Sequence, residues 1–177
     1  MNTINIQYYK SPVGELMLGT YDQQLCLCDW RYRKKRLQVD ARVRNGLKAE
    51  YVEQDNEVMA LTRQQLEAYF RKERNSFSVP LLLVGTAFQK QVWQALMDIP
   101  YGETTTYAGL AESMGDRNAL RAVANANGAN GISILIPCHR VIASNGELQG
   151  YAGGKPAKEK LLNLEGGLPA QQGSLFD

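Results

Sequence analysis

The sequence predicts an α+β fold in two parts. Three short apolar segments separated by turn residues come first, helical patterns follow, and one apolar run interrupts the helices late in the chain. A group of strands followed by a group of helices is typical of this fold class. With 177 residues, of which 44% are hydrophobic, the chain can bury the core of one domain or of two small ones.

The strand signals lie in the first 30 residues. Residues 4–9, 15–21 and 24–30 are short apolar segments bounded by turn residues, and they predict an antiparallel three-stranded sheet. Residues 39–56 are polar and mixed, which predicts a loop or an irregular connection. Residues 57–73 place apolar side chains at helical spacing and therefore predict a helix.

Helical signals dominate the second half of the chain. Thr86 and Gln89 have the spacing of a capping box, in which each side chain covers a free backbone amide, so a helix is predicted to begin there and to end before Pro100. The predicted organisation is an N-terminal α/β domain at residues 1–80, a linker at 81–85, a C-terminal domain at 86–166 and a flexible tail at 167–177.

A pair of short helices is predicted next. Residues 104–106 are threonines that can cap a helix over residues 107–114, Gly115 supplies a turn, and a second helix follows over residues 118–127. Two short helices joined in this way fit a helix-turn-helix unit. The second helix carries small side chains, which allow either tight packing on a neighbouring helix or close entry into the minor groove of DNA.

Arg121 is the one long cation on that second helix. Its small neighbours include Ala122, Asn125 and Ala126. A surface ion pair is one interpretation of Arg121. The other is insertion into a base stack, where its planar guanidinium fills the gap left by an extruded nucleotide.

The pentapeptide at residues 137–141 contains the clearest chemical signal. His139 is the only histidine of the chain, and it follows Cys138 directly. A cysteine is a nucleophile only as its thiolate, which a neighbouring base makes available near neutral pH. The apolar residues 132–136 predict a buried strand that Pro137 stops just before the thiol. A structural core thiol beside a satisfied histidine is the alternative.

Composition narrows the functional classes. The net charge of +2 is too small to indicate nucleic-acid binding by itself, and the basic residues 31–36 predict a solvated loop in preference to a phosphate-binding patch. Three cysteines cannot all pair, which favours a reducing cytoplasm over a disulfide-bonded scaffold. Cys26 and Cys28 are predicted core residues, because too few further ligands exist for a zinc site. Neither a membrane span nor a signal peptide is expected.

Three motifs of the second half occur together: Pro137-Cys138-His139-Arg140-Val141, Arg121-Ala122-Val123 and Tyr151-Ala152-Gly153-Gly154. In this combination the chain resembles the O6-alkylguanine-DNA alkyltransferase family over residues 86–166. The N-terminal half fits that family's ribonuclease-H-like first domain less strongly. The resemblance implies that Cys138 takes the alkyl group from O6 of guanine in double-stranded DNA, with O4-alkylthymine left open as a further substrate. It implies a stable thioether, a single turnover, no metal or cofactor, and a monomer.

The resemblance also implies a role for individual residues. His139 corresponds to a general base that acts on the thiol through a water molecule, and Glu165 to the carboxylate that orients it. Asn130 matches an asparagine that braces the turn between the recognition helix and the active-site strand, and Tyr107 a tyrosine that rotates the damaged nucleotide and donates to the base. The implied DNA-binding residues are Tyr107, Arg121, Ala122, Asn125 and Ala126. The implied substrate pocket is formed by Val141, Tyr151, Ala152 and Gly153.

Two other functions remain open from the residues alone. One is a cysteine hydrolase that uses Cys138, His139 and Glu165 on a small acyl substrate. The other is a non-enzymatic DNA-lesion-binding module built on the helix pair. The hydrolase does not explain the small-residue helix with Arg121, and the binding module does not explain the cysteine motif.

The last residues form a separate signal. The segment Gln172-Gly173-Ser174-Leu175-Phe176 resembles the short peptide by which bacterial repair proteins dock on the replication sliding clamp, although Gly173 replaces the favoured leucine. A frayed terminus is the alternative. The expected location is the cytoplasm of a bacterial-type cell, in association with the nucleoid.

Overall fold

The N-terminal half is built around a mixed sheet. The computed structural model of the chain describes residues 2–148 and 150–168. The elements of this half are β1 (Thr3–Ser11), β2 (Gly14–Tyr21), β3 (Gln24–Trp30), α1 (Arg36–Leu47), β4 (Glu50–Glu53) and α2 (Glu57–Phe70). The strand order is β3-β2-β1-β4, with antiparallel pairing of the first three and parallel pairing of β4 with β1.

The three predicted strands are confirmed, but the prediction of only three strands was wrong. Residues 39–56, predicted as a loop, contain most of α1 and all of β4. The sequence signal of α1 is weak because only Val39 and Val43 of its side chains are buried, whereas most of the others are polar. A strand of four largely exposed residues such as β4 has no apolar alternation to reveal it.

Helix α2 covers the apolar core of this half. Asn56 caps it by accepting a hydrogen bond from the backbone amide of Met59, and Met59, Leu66 and Tyr69 are fully buried. The helix ends at Phe70, three residues before the predicted end, since Lys72 adopts a left-handed backbone conformation with φ of 61°.

The C-terminal half is mostly helical. Its elements are α3 (Ala87–Met97), β5 (Thr105–Thr106), α4 (Tyr107–Ser113), α5 (Leu120–Gly128), β6 (Val141–Ile142) and α6 (Lys155–Glu165). Thr86 and Gln89 form the predicted capping box of α3, and Thr106 caps α4 by accepting from the Gly109 amide. Helix α5 begins later than predicted because Arg117–Ala119 forms a 3-10 turn. No helix in the described part of the chain is long and apolar enough to cross a membrane.

The prediction of a strand over residues 132–136 was wrong. The five residues are buried as expected, yet they form a tight turn with isolated bridges rather than a strand. Ile134 has φ of 72°, a conformation that a β-branched residue rarely adopts, so it cannot continue an extended segment. The side chain of Asn130 closes the turn, because it accepts from the amide of Ile132 at 2.9 Å and donates to the carbonyl of Ile136 at 2.9 Å.

This turn is docked on the free edge of β3. The backbone of Cys28 donates to the carbonyl of Gly131 at 2.9 Å and accepts from the amide of Ser133 at 2.7 Å. Residues 80–82 bind further along the same strand through Leu25. The edge strand therefore carries the segment that leads to Cys138.

A buried ion cluster joins the two halves. The carboxylate of Asp29 is inaccessible and lies 3.1 Å from Arg33 and 2.9 Å from Arg36. Arg33 also donates to the carbonyl of Gly128 at 2.7 Å and to that of Asn130 at 3.3 Å. The expectation that residues 31–36 form a solvated loop was therefore wrong for Arg33 and Arg36, whose guanidinium groups form ion pairs with the buried Asp29.

We expect Asp29→Asn to lower the free energy of unfolding by about 3 kcal/mol or more, because it leaves the buried guanidinium group of Arg33 without its counter-charge. Denaturant-induced unfolding measures this loss. The matched control is Glu73→Gln, whose ion pair with Arg71 is more than half exposed and should cost less than about 1 kcal/mol. Equal losses for the two variants would contradict the structural importance of the cluster.

Candidate active site

Cys138 begins a buried 3-10 turn rather than ending a strand. The turn comprises Cys138–Arg140, and only 3% of Cys138 is exposed. Burial raises the pKa of the Cys138 thiol, while a hydrogen bond from Asn130 and the charge of Lys158 act in the opposite direction. The resting thiol is therefore protonated at neutral pH and needs a base before it can act as a nucleophile.

The structure places His139 and Glu165 in direct contact. The ring Nε2 of His139 lies 2.8 Å from Oε2 of Glu165, and both side chains are inaccessible. Burial lowers the pKa of His139 below its usual value, although the hydrogen bond and charge of Glu165 partly oppose the shift. The imidazole is thus neutral at pH 7 and able to accept a proton at its second nitrogen. That nitrogen, Nδ1, is buried and has no hydrogen-bond partner among the described residues.

Glu165 is surrounded by donors. Arg140 donates to Oε1 through Nε at 2.8 Å and to Oε2 at 3.1 Å, and Tyr69 of α2 donates its hydroxyl to Oε2 at 2.5 Å. Burial would raise the pKa of Glu165, but the hydrogen bonds from His139, Arg140 and Tyr69 lower it to about 2. Helix α6 ends at this residue because Gly166 takes a left-handed conformation with φ of 74°.

Lys158 is a further buried charge that sequence reasoning missed. It is 1% exposed and donates from Nζ to the carbonyl of Val141 at 2.6 Å. Burial lowers its pKa, and the neighbouring Cys138 opposes this shift. Its spacing of two helical turns from Glu165 could have indicated a shared helix face. Arg140 was visible within the cysteine motif, whereas nothing in the sequence pointed to Tyr69.

Tyr107 and Tyr151, the latter in the segment at residues 150–154, lie near the thiol. Burial, followed by the effect of Cys138, raises the pKa of both Tyr107 and Tyr151, so both phenols remain protonated donors at neutral pH. The ring of Tyr151 lies 6.5 Å from that of His139 and 5.7 Å from that of Trp30. Gly153 packs so closely on Trp30 that a Cβ atom there would lie 2.5 Å from the indole ring.

The predicted pocket residues do not share one open cavity with the thiol. Tyr151, Ala152 and Gly153 line a groove of about 700 Å³ against Trp30 and the residues that follow it, whereas Cys138 is not part of its wall. Val141 is fully buried, and its carbonyl is bound by Lys158. The sulfur is covered in this conformation.

Helix α5 presents only part of the predicted DNA-binding set. Arg121, Ala122 and Asn125 are exposed, and no salt bridge found in residues 2–148 and 150–168 involves Arg121. Ala126 is 3% exposed and its carbonyl accepts from the indole of Trp93, so its side chain faces the core and not the exposed side. A contact of Ala126 with DNA stays a prediction.

The other two cysteines lie elsewhere. Cys26 and Cys28 are buried in β3, and all three thiols are free. Burial raises the pKa of Cys26 to about 12 and that of Cys28 still further. The described residues contain no group of three or more His, Cys, Asp or Glu side chains that could hold a metal ion. The residues of the clamp-like peptide, Gln172 to Phe176, lie outside the described part of the chain.

The fold and the site define a class of protein in which a buried thiol with a neighbouring histidine–carboxylate pair stands beside a helix-turn-helix unit. Residues 4–83 match the family described as 6-O-methylguanine DNA methyltransferase, ribonuclease-like domain, and residues 87–167 match the DNA binding domain of the same family. The chain belongs to the 6-O-methylguanine DNA methyltransferase family.

Individual relatives agree with this assignment. The methylated-DNA–protein-cysteine methyltransferase of Methanosarcina acetivorans is 45% identical over 159 residues, which cover 89% of this chain and 96% of the relative. The crystal structure of Mycobacterium tuberculosis O6-methylguanine methyltransferase has a TM-score of 0.78 at 36% identity and covers 98% of this chain and 99% of that one. The structure of Mycobacterium tuberculosis OGT in complex with DNA has a TM-score of 0.77 at 37% identity, covering 93% and 92%.

Proposed function

We propose that this chain repairs DNA by transferring the alkyl group of O6-alkylguanine in duplex DNA to Cys138. The observation that carries the proposal is the contact of His139 with Glu165 directly beside a buried, protonated thiol. Family membership supports the same activity, since the relatives are named methylated-DNA–protein-cysteine methyltransferases.

The reaction balances without a cofactor. The thiol proton leaves toward Nδ1 of His139 through a bridging water molecule, and the thiolate attacks the alkyl carbon from the side opposite O6. A sulfur–carbon bond forms as the carbon–oxygen bond breaks, and the electron pair of that bond stays on guanine. The phenol of Tyr107 is the proposed donor of a proton to the departing guanine. The proton taken up by His139 then passes through solvent to the phenolate, so both side chains return to their starting states. The thioether at Cys138 is not hydrolysed, so each molecule acts once.

A damaged base must leave the DNA stack to reach the sulfur. Because Cys138 is 3% exposed, the residues that cover it have to shift when the base enters, and we assign this movement to the segment at residues 150–154. We assign to the exposed Arg121 the filling of the vacated stack, with Ala122 and Asn125 close to the minor groove. The pocket walls then come from Tyr151, Ala152 and Gly153, and Asn130 holds the turn behind the sulfur.

The proposal includes the setting of the reaction. A protein that depends on a free thiol is suited to a reducing compartment, so we place it in the cytoplasm near the nucleoid, acting on DNA as a monomer.

Incubation with a duplex that contains O6-methylguanine should raise the intact mass by one methyl group per molecule, because the product is a thioether on one residue. Mass spectrometry measures this gain. Cys138→Ala should show none, while Cys28→Ala serves as the matched control and should still gain the methyl group. An unchanged mass, or release of product over many cycles, would defeat the proposal.

Arg121→Ala should slow repair of the duplex by about tenfold or more, because a vacated stack without a filling side chain loses about 1–3 kcal/mol of stacking. Transfer from free O6-methylguanine base should change little. Single-turnover rates on both substrates test this, with the exposed Arg117→Ala on the preceding 3-10 turn as the matched control. Equal losses on both substrates would contradict a role in the base stack.

The terminal peptide is proposed as a second binding segment, for the replication sliding clamp. Leu175→Ala together with Phe176→Ala should abolish capture of the chain by immobilised clamp, because these two side chains supply the apolar contact. Methyl transfer serves as the control and should be unchanged. Capture that survives both substitutions would remove the clamp from the list of partners.

A further inference from the structure

Tyr69 brings the N-terminal half into the proposed active site. It lies on α2, is fully buried and is separated from Glu165 by 96 residues of sequence. Its hydroxyl lies 2.5 Å from Oε2 of Glu165, the same oxygen that His139 contacts at 2.8 Å. Three donors therefore share one carboxylate oxygen: His139 and Arg140 from the C-terminal half, the latter at 3.1 Å, and Tyr69 from the N-terminal half.

We propose that Tyr69 is a positioning residue that moderates how strongly Glu165 attracts the ring N–H of His139. The inference rests on the proposed function, in which His139 takes the proton of Cys138. A phenol donor on Oε2 spreads the negative charge of the carboxylate and leaves less of it for the imidazole. It also fixes the direction of the oxygen relative to the ring.

The hydrogen bond of Tyr69 can be removed without changing how its ring packs. Tyr69 lies in a cluster with Phe70, Phe77 and Tyr101, whose ring centroids are 5.2, 5.6 and 6.3 Å away. Phenylalanine fills the same space in such a cluster, so Tyr69→Phe removes the hydrogen bond and keeps the apolar contacts.

The other groups that face His139 remain in place in this variant. Arg140 of the same 3-10 turn and Lys158 of α6 both lower the pKa of His139, and the ring of Tyr151 contacts it from the 150–154 segment. Cys138 precedes it in the chain. Because none of these groups is altered, a change in the titration of His139 reports on Oε2 of Glu165.

The direction in which the pKa of His139 changes follows from the negative charge on Oε2 of Glu165. Without the phenol, Oε2 is a stronger acceptor and favours the charged imidazolium, which raises the pKa of His139. Since the base must be neutral to take the thiol proton, the acidic limb of the pH–rate profile then moves to higher pH.

The chain allows a direct measurement because His139 is its only histidine. NMR of the selectively labelled histidine ring, without DNA, yields one unambiguous titration curve. We expect Tyr69→Phe to raise the pKa of His139 by about 0.5–1 unit, and to slow methyl transfer about three- to tenfold at a pH below the limb.

The matched control is Tyr101→Phe. Tyr101 belongs to the same aromatic cluster, but among the described residues its hydroxyl donates to the carbonyl of Leu164, at 3.4 Å, and not to Glu165. The titration of His139 should stay as in the unchanged chain. An unshifted curve in Tyr69→Phe, or an equal shift in Tyr101→Phe, would overturn the assignment.

A second replacement protects the test against misfolding. Site-specific fluorotyrosine at position 69 keeps the shape of the side chain and donates a stronger hydrogen bond, so the pKa of His139 should fall; a rise or no change counts against the proposal.

The repair function and the role of Tyr69 can be disproved independently of each other. A chain that never gains a methyl group defeats the repair function while leaving the histidine titration to be read, and methyl transfer with an unresponsive histidine defeats only the role of Tyr69.

Discussion

Burying the carboxylate of Glu165 is the constraint on which the rest of the site depends. A carboxylate removed from water is tolerated only when charged or polar donors replace its hydration. Here His139 and Arg140 come from the 3-10 turn and Tyr69 from α2, while Glu165 itself ends α6. The hydrogen bonds to the carboxylate of Glu165 therefore fix three elements relative to one another. They also join the two halves of the molecule beside His139.

The turn before Cys138 is also held in place by hydrogen bonds, two of which come from residues of the N-terminal half. Ile134 in a left-handed conformation costs about 1–3 kcal/mol and persists only where the surroundings determine it. Asn130 bridges the turn, Cys28 binds its backbone, and Arg33 binds the carbonyl of Asn130 while paired with Asp29. The N-terminal half thus supports both the turn before Cys138 and the carboxylate that His139 contacts.

Features encoded by neighbouring residues could be predicted from the sequence. The three strands, the caps at Thr86 and Thr106, and the helix pair depend on local patterns of this kind. Helix α1 and strand β4 could not be predicted, because α1 buries only two side chains and β4 is largely exposed, so neither carries a clear apolar periodicity. The run at residues 132–136 was misjudged since burial alone does not distinguish a strand from a tight buried turn. The contacts of Tyr69 and Arg33 depend on tertiary proximity, which no spacing in the sequence reveals.

The three cysteines differ in their polar neighbours and not in their exposure. All three thiols are buried, and burial raises the pKa of each. In β3 little opposes that effect, so Cys26 and Cys28 stay protonated and unreactive. At Cys138 the amide of Asn130 and the ammonium of Lys158 favour the thiolate, and a neutral imidazole lies next along the chain. In the proposed reaction, which each molecule carries out once, a covered and protonated sulfur is protected from other electrophiles until a bound guanine brings its alkyl carbon to Cys138.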